Sequence, residues 1–452
     1  MHTDTRKAAS GIHRMPGLSL VAALVAAWTA PAAGQEDLAK KVQEMQAQLA
    51  EMKTRLDDMQ QKKVSQEEVL KLMEKWSADS AKRASNLPKW AENLKIYGDL
   101  RLRCETQTYN WGNTAREDDL KSRNRARFRL RVGATKTWLD DQLEVGFRLA
   151  SGNNNDPTAT NQTLGESGTG EPAFAKRPVW IDLAYGKYAP NWAKGLSVTG
   201  GKMNNPLLLN EIFMDTDISP EGFWAEYKVP GLGPVEPFVG GGYFILREVG
   251  QTTGSVPAFD TTMWAYQGGV SWKIMEDLKY TVSATYMDYD YYDLTGLPTR
   301  GNDVLTNVHN FHVVNLGNKV DFNVWKVPVC LFFDWAHNAD DEDRTSDYRN
   351  ADDAYATGVQ VGQNKKQGDL SCKYRYFQVQ GNSLPGYLVD GDYGQANHQG
   401  HIWGVQYNLT DDLTLGLALF YFSPIFPSVT NASGRLTEDT TTTVRAELIW
   451  KF

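Results

Sequence analysis

The amino-acid sequence predicts an all-β fold: a transmembrane antiparallel β-barrel of about sixteen strands, preceded by an N-terminal α-helical coiled coil. Three observations lead there. The hydrophobic period changes from about 3.5 residues to about 2 near Leu94. The connections between the period-two segments alternate between short and long. The only long apolar run lies near the N-terminus and is too short to cross a bilayer as a mature helix. The shortness of that run excludes a helical membrane protein but not a barrel, whose strands alternate and leave no hydropathy peak; the mean hydropathy, -0.48, is polar. A formal charge of -8 argues against a basic nucleic-acid binder.

Residues 1–34 have the pattern of an export signal. Arg6, Lys7 and Arg14 form a positive start, Leu18 to Trp28 an apolar core, and Ala30, Ala32 and Ala33 a small-residue cleavage region. Cys104, Cys330 and Cys372 follow, far apart and without CxxC spacing, which fits neither a disulfide scaffold nor a zinc site. His309/His312 and His398/His401 are three apart; on strands such residues point to opposite faces, so no metal site is expected.

Residues 35–85 are expected to form a coiled coil and its linker. Leu38, Val42, Met45, Leu49, Met52, Leu56 and Met59 are spaced alternately four and three apart, with Lys, Glu, Gln and Asp on the other faces. So narrow a stripe suits self-association better than burial in a core. The pattern weakens at Lys63 and Gln66 and resumes at Leu70 and Met73.

Residues 86–452 are expected to form the barrel. Ile96, Leu100 and Leu102 alternate with Asp99, Arg101 and Arg103. Phe128, Leu130 and Val132 alternate with Arg125, Arg127, Arg129 and Arg131, and Leu143, Val145, Phe147 and Leu149 with Glu144 and Arg148. Leu413, Leu415, Leu417, Leu419 and Tyr421 make an aliphatic row. Tight turns are expected at 138–142, 189–195, 230–234, 273–277, 364–369, 409–412 and around Trp325. Long polar connections are expected at 106–122, 151–177, 203–221, 248–262, 290–308, 338–353, 380–398 and 423–440. Long loops gathered at one end suit a barrel with periplasmic turns, and Trp138, Trp192, Trp272 and Trp325 fall at or beside those turns, as interfacial indoles would. On the last strand Val444, Ala446, Leu448, Trp450 and Phe452 share a face opposite Arg445, Glu447 and Lys451.

Several segments resemble the putative porin family of Gram-negative bacteria: IYGDLRLR (Ile96–Arg103), RNRARFRLRVG (Arg123–Gly133), VDGDYG (Val389–Gly394), GHIWGVQYNLTDDLTL (Gly400–Leu415) and the terminal AELIWKF. A chain ending in alternating hydrophobics and Phe also resembles the assembly signal of outer-membrane barrels, which assigns Trp450 and Phe452 to recognition by the barrel-assembly machinery. The resemblance implies a pore for small hydrophilic solutes in the outer membrane, surrounded by lipid and lipopolysaccharide, with the coil in the periplasm. With the heptads it implies a homotrimer. No cofactor, metal or catalytic residue is expected: no GxSxG or phosphate-binding loop is present. The acidic stretch beginning at Asp340 and the Asp390–Asp392 turn lack the order of calcium ligands and suit solvated loops. A second class of function is a tether, in which the coil joins the outer membrane to the cell wall and the barrel is an anchor.

The wall charge gives the sharpest expectation. Each arginine on a barrel exterior costs about 2–4 kcal/mol at mid-membrane depth, so Arg125, Arg127, Arg129 and Arg131 must face the lumen, joined by Arg101, Arg103 and Arg148. In sixteen-stranded porins the third long loop folds inward. The resemblance places Met203–Glu221 opposite this wall as a constriction, with Glu211, Asp215 and Asp217 as its charges and Leu207–Leu209, Ile212 and Phe213 pinning it. That arrangement would favour anions. The competing expectation is a neutral wall, the arginines pairing with Asp99, Glu105, Glu144 and Asp182.

Overall fold

Alternating side chains along Leu94–Lys451 build a wall in which each strand hydrogen-bonds to the next wall strand along the chain, until the last meets the first. The computed structural model describes residues 91–110, 121–153, 156–166, 173–248, 260–290, 300–302, 311–340, 351–426 and 440–452. The chain divides into two units, Met1–Glu92 and Asn93–Phe452. The export signal and the heptad segment, together with His309, lie outside the described residues.

The wall begins with β1 (Leu94–Asn110), β2 (Lys121–Trp138) and β3 (Leu143–Ala150). A two-residue β4 (Gln162–Thr163) in the next connection bonds to β2 and is no part of the wall. Next come β5 (Trp180–Tyr188), β6 (Leu196–Lys202), β7 (Glu221–Lys228), β8 (Val235–Arg247) and β9 (Thr261–Met275). They are followed by β10 (Leu278–Asp290), β11 (Phe311–Val324), β12 (Val327–Asn338) and β13 (Asp353–Gly362). The wall ends with β14 (Leu370–Val379), β15 (His398–Asn408), β16 (Leu413–Pro424) and β17 (Thr440–Lys451).

Leaving β4 aside, sixteen antiparallel strands close into a barrel when β17 pairs with β1 from Asp99↔Lys451 to Asn110↔Thr440. Closure leaves no unpaired edge, which a hydrocarbon surround would penalise. The seam is finished by the terminal residue: Gly98 N donates to Phe452 O at 2.8 Å, and Phe452 N to Gly98 O at 3.1 Å. A Cβ at residue 98 would lie 2.6 Å from the Phe452 ring and 2.4 Å from Arg131 O, so glycine is required there. β1 and β2 extend into the expected loop at 106–122; Thr106, Thr108, Ser122 and Asn124 sit on their outer face and disguised that end of the hairpin.

Outward residues of β16 are the aliphatic row Leu413 to Leu419 with Tyr421, while Thr414, Gly416, Ala418 and Phe420 face inward. Trp325 and Lys326 form a two-residue turn between β11 and β12 with φ of 48° and 73°, the mirror-image geometry that matches strand twist. The Trp325 indole is exposed there, as are Trp138, Trp192 and Trp272. At the other end Tyr243, Trp264, Tyr266, Tyr286, Trp403 and Tyr421 face outward. His398 and His401 do take opposite faces of β15: His398 Nδ1 meets Ala396 O at 2.9 Å, and His401 pairs with the Tyr374 hydroxyl at 2.9 Å.

The buried hydrophobic cluster lies inside the barrel, because two connections fold into it. Met203, Leu207, Ile212, Phe213, Met214 and Ile218 of one meet Leu384, Leu388 and Val389 of the other. Trp224, Phe244, Met263, Phe311 and Phe377 receive them from the wall.

Candidate functional site in the constricted lumen

The inner faces of β1, β2 and β17 carry the arginines. Asp99 accepts from Arg129 at 2.8 and 2.9 Å and from Arg131 Nε at 2.6 Å. Glu105, its side chain 1% exposed, lies among Arg125, Arg127 (3.6 Å), Arg103 (3.9 Å) and Arg445 (3.6 Å). Neither Glu105 oxygen accepts a well-aligned hydrogen bond, so charge rather than directional bonding holds this group. Arg148 pairs with Asp182 at 2.5 Å. Three of the four carboxylates of the neutral-wall expectation thus hold arginines. The fourth, Glu144, instead accepts from the Tyr185 hydroxyl at 2.7 Å.

The loop at 203–220 spans the interior instead of standing opposite the arginine wall. Asp217 Oδ1 lies 3.4 Å from Arg129 and 3.8 Å from Arg131, and its Oδ2 accepts from Thr160 Oγ1 at 2.6 Å. Glu211, at the other end of the loop, pairs with Arg375 of β14 and accepts from the Tyr393 hydroxyl at 3.3 Å. Leu208 N donates to Gln267 of β9, and Asn210 Nδ2 to Asp334 of β12. The expected charges are therefore separated: Asp217 docks on the arginines, Glu211 docks on the far wall, and Asp215 is buried between loops.

The sequence reading missed a second inward loop, at 380–397. Asp215 N donates to Leu388 O at 3.0 Å and Asp390 N to Ile212 O at 3.4 Å, which laces the two loops together. Asp390 caps a single 3-10 turn at Gly391–Tyr393, within the VDGDYG segment. Its carboxyl is buried, so the expectation of solvated residues at Asp390–Asp392 does not hold. Burial opposes ionisation of Asp392, but the Arg445 and Arg103 guanidiniums, at 2.8 and 3.3 Å, outweigh it and hold its carboxyl below the usual range. Asp215 has no such partner: burial, then the Asp217 charge, pushes it up to about 8. Burial and Asp215 push Asp390 upward as well.

Arg103 also reaches Glu447 at 2.5 Å. Arg101 differs, since its Nε and Nη2 both donate to the amide oxygen of Asn161, at 3.1 and 2.6 Å. Arg445, Lys373 and Arg375 were overlooked as site residues because β17 carries its arginine without a row of others and β14 only a pair of cations, although all fall on inward positions of the two-residue alternation. Among the described residues, no three His, Cys, Asp or Glu side chains gather as metal ligands. All three cysteines are free.

A lipid-facing exterior, a closed backbone and a charged, loop-narrowed interior define the class: an outer-membrane channel barrel. Residues 116–310 match the family described as "Putative porin". Among solved structures, OprB of Pseudomonas putida, determined at high pH, is similar at 14% identity over 80% of this chain and 95% of that one, with a TM-score of 0.49. A triple mutant of Rhodopseudomonas blastica porin is similar at 12% identity over 79% and 100%, with a TM-score of 0.39. No curated protein matches the sequence.

Proposed function

We propose that the protein is a passive diffusion channel for small hydrophilic solutes in the outer membrane, with a preference for anions. Arg101, Arg103, Arg125, Arg127, Arg129, Arg131 and Arg148 line its pore, and the 203–220 loop with Glu211, Asp215 and Asp217 forms the constriction. Passage involves no chemical step; the width and charge of the water-filled lumen select solutes. One observation carries the preference: the charges around the arginine wall and the two inward loops do not balance. Burial disfavours the charged forms of Asp215 and Asp390, and Asp99, Glu105, Glu211, Asp217, Asp392 and Glu447 face a larger set of cations: Arg101, Arg103, Arg125, Arg127, Arg129, Arg131, Lys373, Arg375 and Arg445. The purified protein in planar bilayers tests this reading. It should conduct, with a zero-current potential in a salt gradient on the anion-selective side. A folded sample that never conducts overturns the channel.

The biological unit in this reading is a homotrimer. Its support is the outer face of β17, β1 and β2, where the rows Thr442–Thr108–Ser122 and Ala446–Cys104–Ala126 replace the aromatics found around β9–β16. Such a small, polar face suits another copy better than lipid. Export by residues 1–34, a periplasmic coil at 35–85, contact with lipopolysaccharide, and assembly through Trp450 and Phe452 complete the proposal. The mass of the native detergent complex checks the assembly, and a monomer would refute it.

A further inference from the structure

On three neighbouring wall strands the register sets Ser283 of β10, Gly317 of β11 and Asp334 of β12 level with one another, all at inward positions. Asn315, two residues along β11, shares that face. The central position of this group is glycine, and the missing side chain leaves a void. The point where a Cβ at residue 317 would sit lies 2.8 Å from Ser283 Oγ, 2.9 Å from Asp334 Oδ1 and 4.0 Å from Asn315 Oδ1. Three oxygens thus border one small space. Gly317, Ser283 and Asp334 also line a cavity of about 250 Å³, which residues 208–211 of the inward loop cover.

These oxygens lack positive partners. Asn315 is fully buried, and its Nδ2 donates to Trp335 O at 3.0 Å, which leaves Oδ1 on the side of the void. That oxygen has no hydrogen-bond partner among the described residues. Asp334 is buried too; its Oδ2 accepts from Asn210 Nδ2 at 2.9 Å, and among the described residues no cation lies within ion-pair distance of the carboxyl. The two basic residues lining the cavity are engaged elsewhere, Lys319 with Asp321 at 3.1 Å and Arg375 with Glu211. A buried carboxylate without a counter-charge is unfavourable, and a buried amide oxygen without a donor adds to the cost. One positive ion in the void would meet both deficits.

We propose that the niche at Gly317 binds an alkali-metal cation through Asp334 Oδ1, Ser283 Oγ and Asn315 Oδ1, with water from the cavity in its remaining positions. One carboxylate matches one positive charge. An ion at the Cβ point has two oxygens at 2.8 and 2.9 Å, longer than the roughly 2.3–2.6 Å of calcium and the still shorter contacts of magnesium. The ion neutralises a carboxyl whose other oxygen holds Asn210, and so fastens the inward loop to the β10–β12 wall. The site depends on the fold alone and not on the channel reading.

The experiment is thermal unfolding of the full-length protein in detergent, at pH 8 and constant ionic strength, in sodium, potassium or choline chloride. Sodium or potassium should raise the midpoint above that in choline, by about 2 °C for each tenfold increase beyond the dissociation constant. Asp334→Asn should abolish the difference, as should Gly317→Ala, whose methyl group fills the void. Ser283→Ala, a milder change to the wall, should shrink it, while Lys319→Gln should keep it. Equal midpoints in choline and in both alkali salts would overturn the proposal and leave Asp334 with a proton instead. A difference that persists in Asp334→Asn would overturn it as well, because the ion would then sit elsewhere. So would stabilisation by calcium at a concentration a hundredfold below that of either alkali cation, which would mark a divalent site.

Discussion

The two inner walls of this barrel carry cations in opposite ways. On β1, β2 and β17 the guanidiniums are crowded, yet nearly every one touches Asp99, Glu105, Asp217, Asp392 or Glu447. On β14 there are only Lys373 and Arg375, and the lysine has no partner among the described residues. The crowded wall is therefore chiefly a structural network that holds strands and loops in place. The sparse wall offers charge to a passing solute. Density of charge along a strand is a poor guide to the field in the lumen; what matters is which charges lack a counter-ion within about 4 Å.

Breaking the crowded wall should have the largest effect. Glu105→Gln would leave four guanidiniums around an uncharged buried amide, and removal of one partner of a buried ionic group costs about 3–5 kcal/mol. The unfolding temperature in detergent, read by heat modifiability on gels, should fall sharply. Lys373→Met on the sparse wall breaks no pair and should stay within about 0.5 kcal/mol of the parent. Equal losses at the two sites would abolish the distinction.

The loops between the walls should make stability depend on pH. A carboxyl that ordinarily ionises near 3.8 is held to about 8 at Asp215. Between those values the folded protein keeps a proton that the unfolded chain has released, so its contribution is complete below about pH 4 and is lost as pH rises through about 8. Thermal unfolding should therefore occur at lower temperature at pH 9 than at pH 5, by a margin that Asp215→Asn reduces. An unchanged margin in that variant would show that another group sets the slope.

Selectivity separates the walls more gently. Lys373→Gln should move the zero-current potential toward cations further than Arg127→Gln does, since Glu105 already balances Arg127 at 3.6 Å. A larger shift from Arg127 would return the selective role to the arginine row. The smallest expected effect is that of Asn161→Ala. It removes one hydrogen-bond acceptor from Arg101, at about 1 kcal/mol, and should slightly raise anion selectivity by freeing the guanidinium.

Most of the wall was legible in the sequence. The order of tight turns and long connections anticipated sixteen strands, because a two-residue period and turn chemistry are local properties that neighbouring residues determine. The arginine row was legible for the same reason: a strand has only two faces, and lipid rejects charge on one of them. The extension of β1 and β2 through Thr106, Thr108, Ser122 and Asn124 was not, since outward polar residues there look like loop.

What the sequence determined by itself, then, was the barrel, its strand faces and the inward direction of its arginines. Only the tertiary structure decided how those arginines are neutralised. Asp217 reaches β2 while Glu211 reaches β14, and Asp392 arrives between Arg103 and Arg445 from a loop more than 280 residues away in sequence from Arg103. Those pairings form because the loops bury apolar residues, Ile212, Phe213 and Leu388 among them, against the inner wall and carry their carboxylates with them. Whether a charge is spent or left free depends on distances across the lumen, and no local pattern in a strand records those distances.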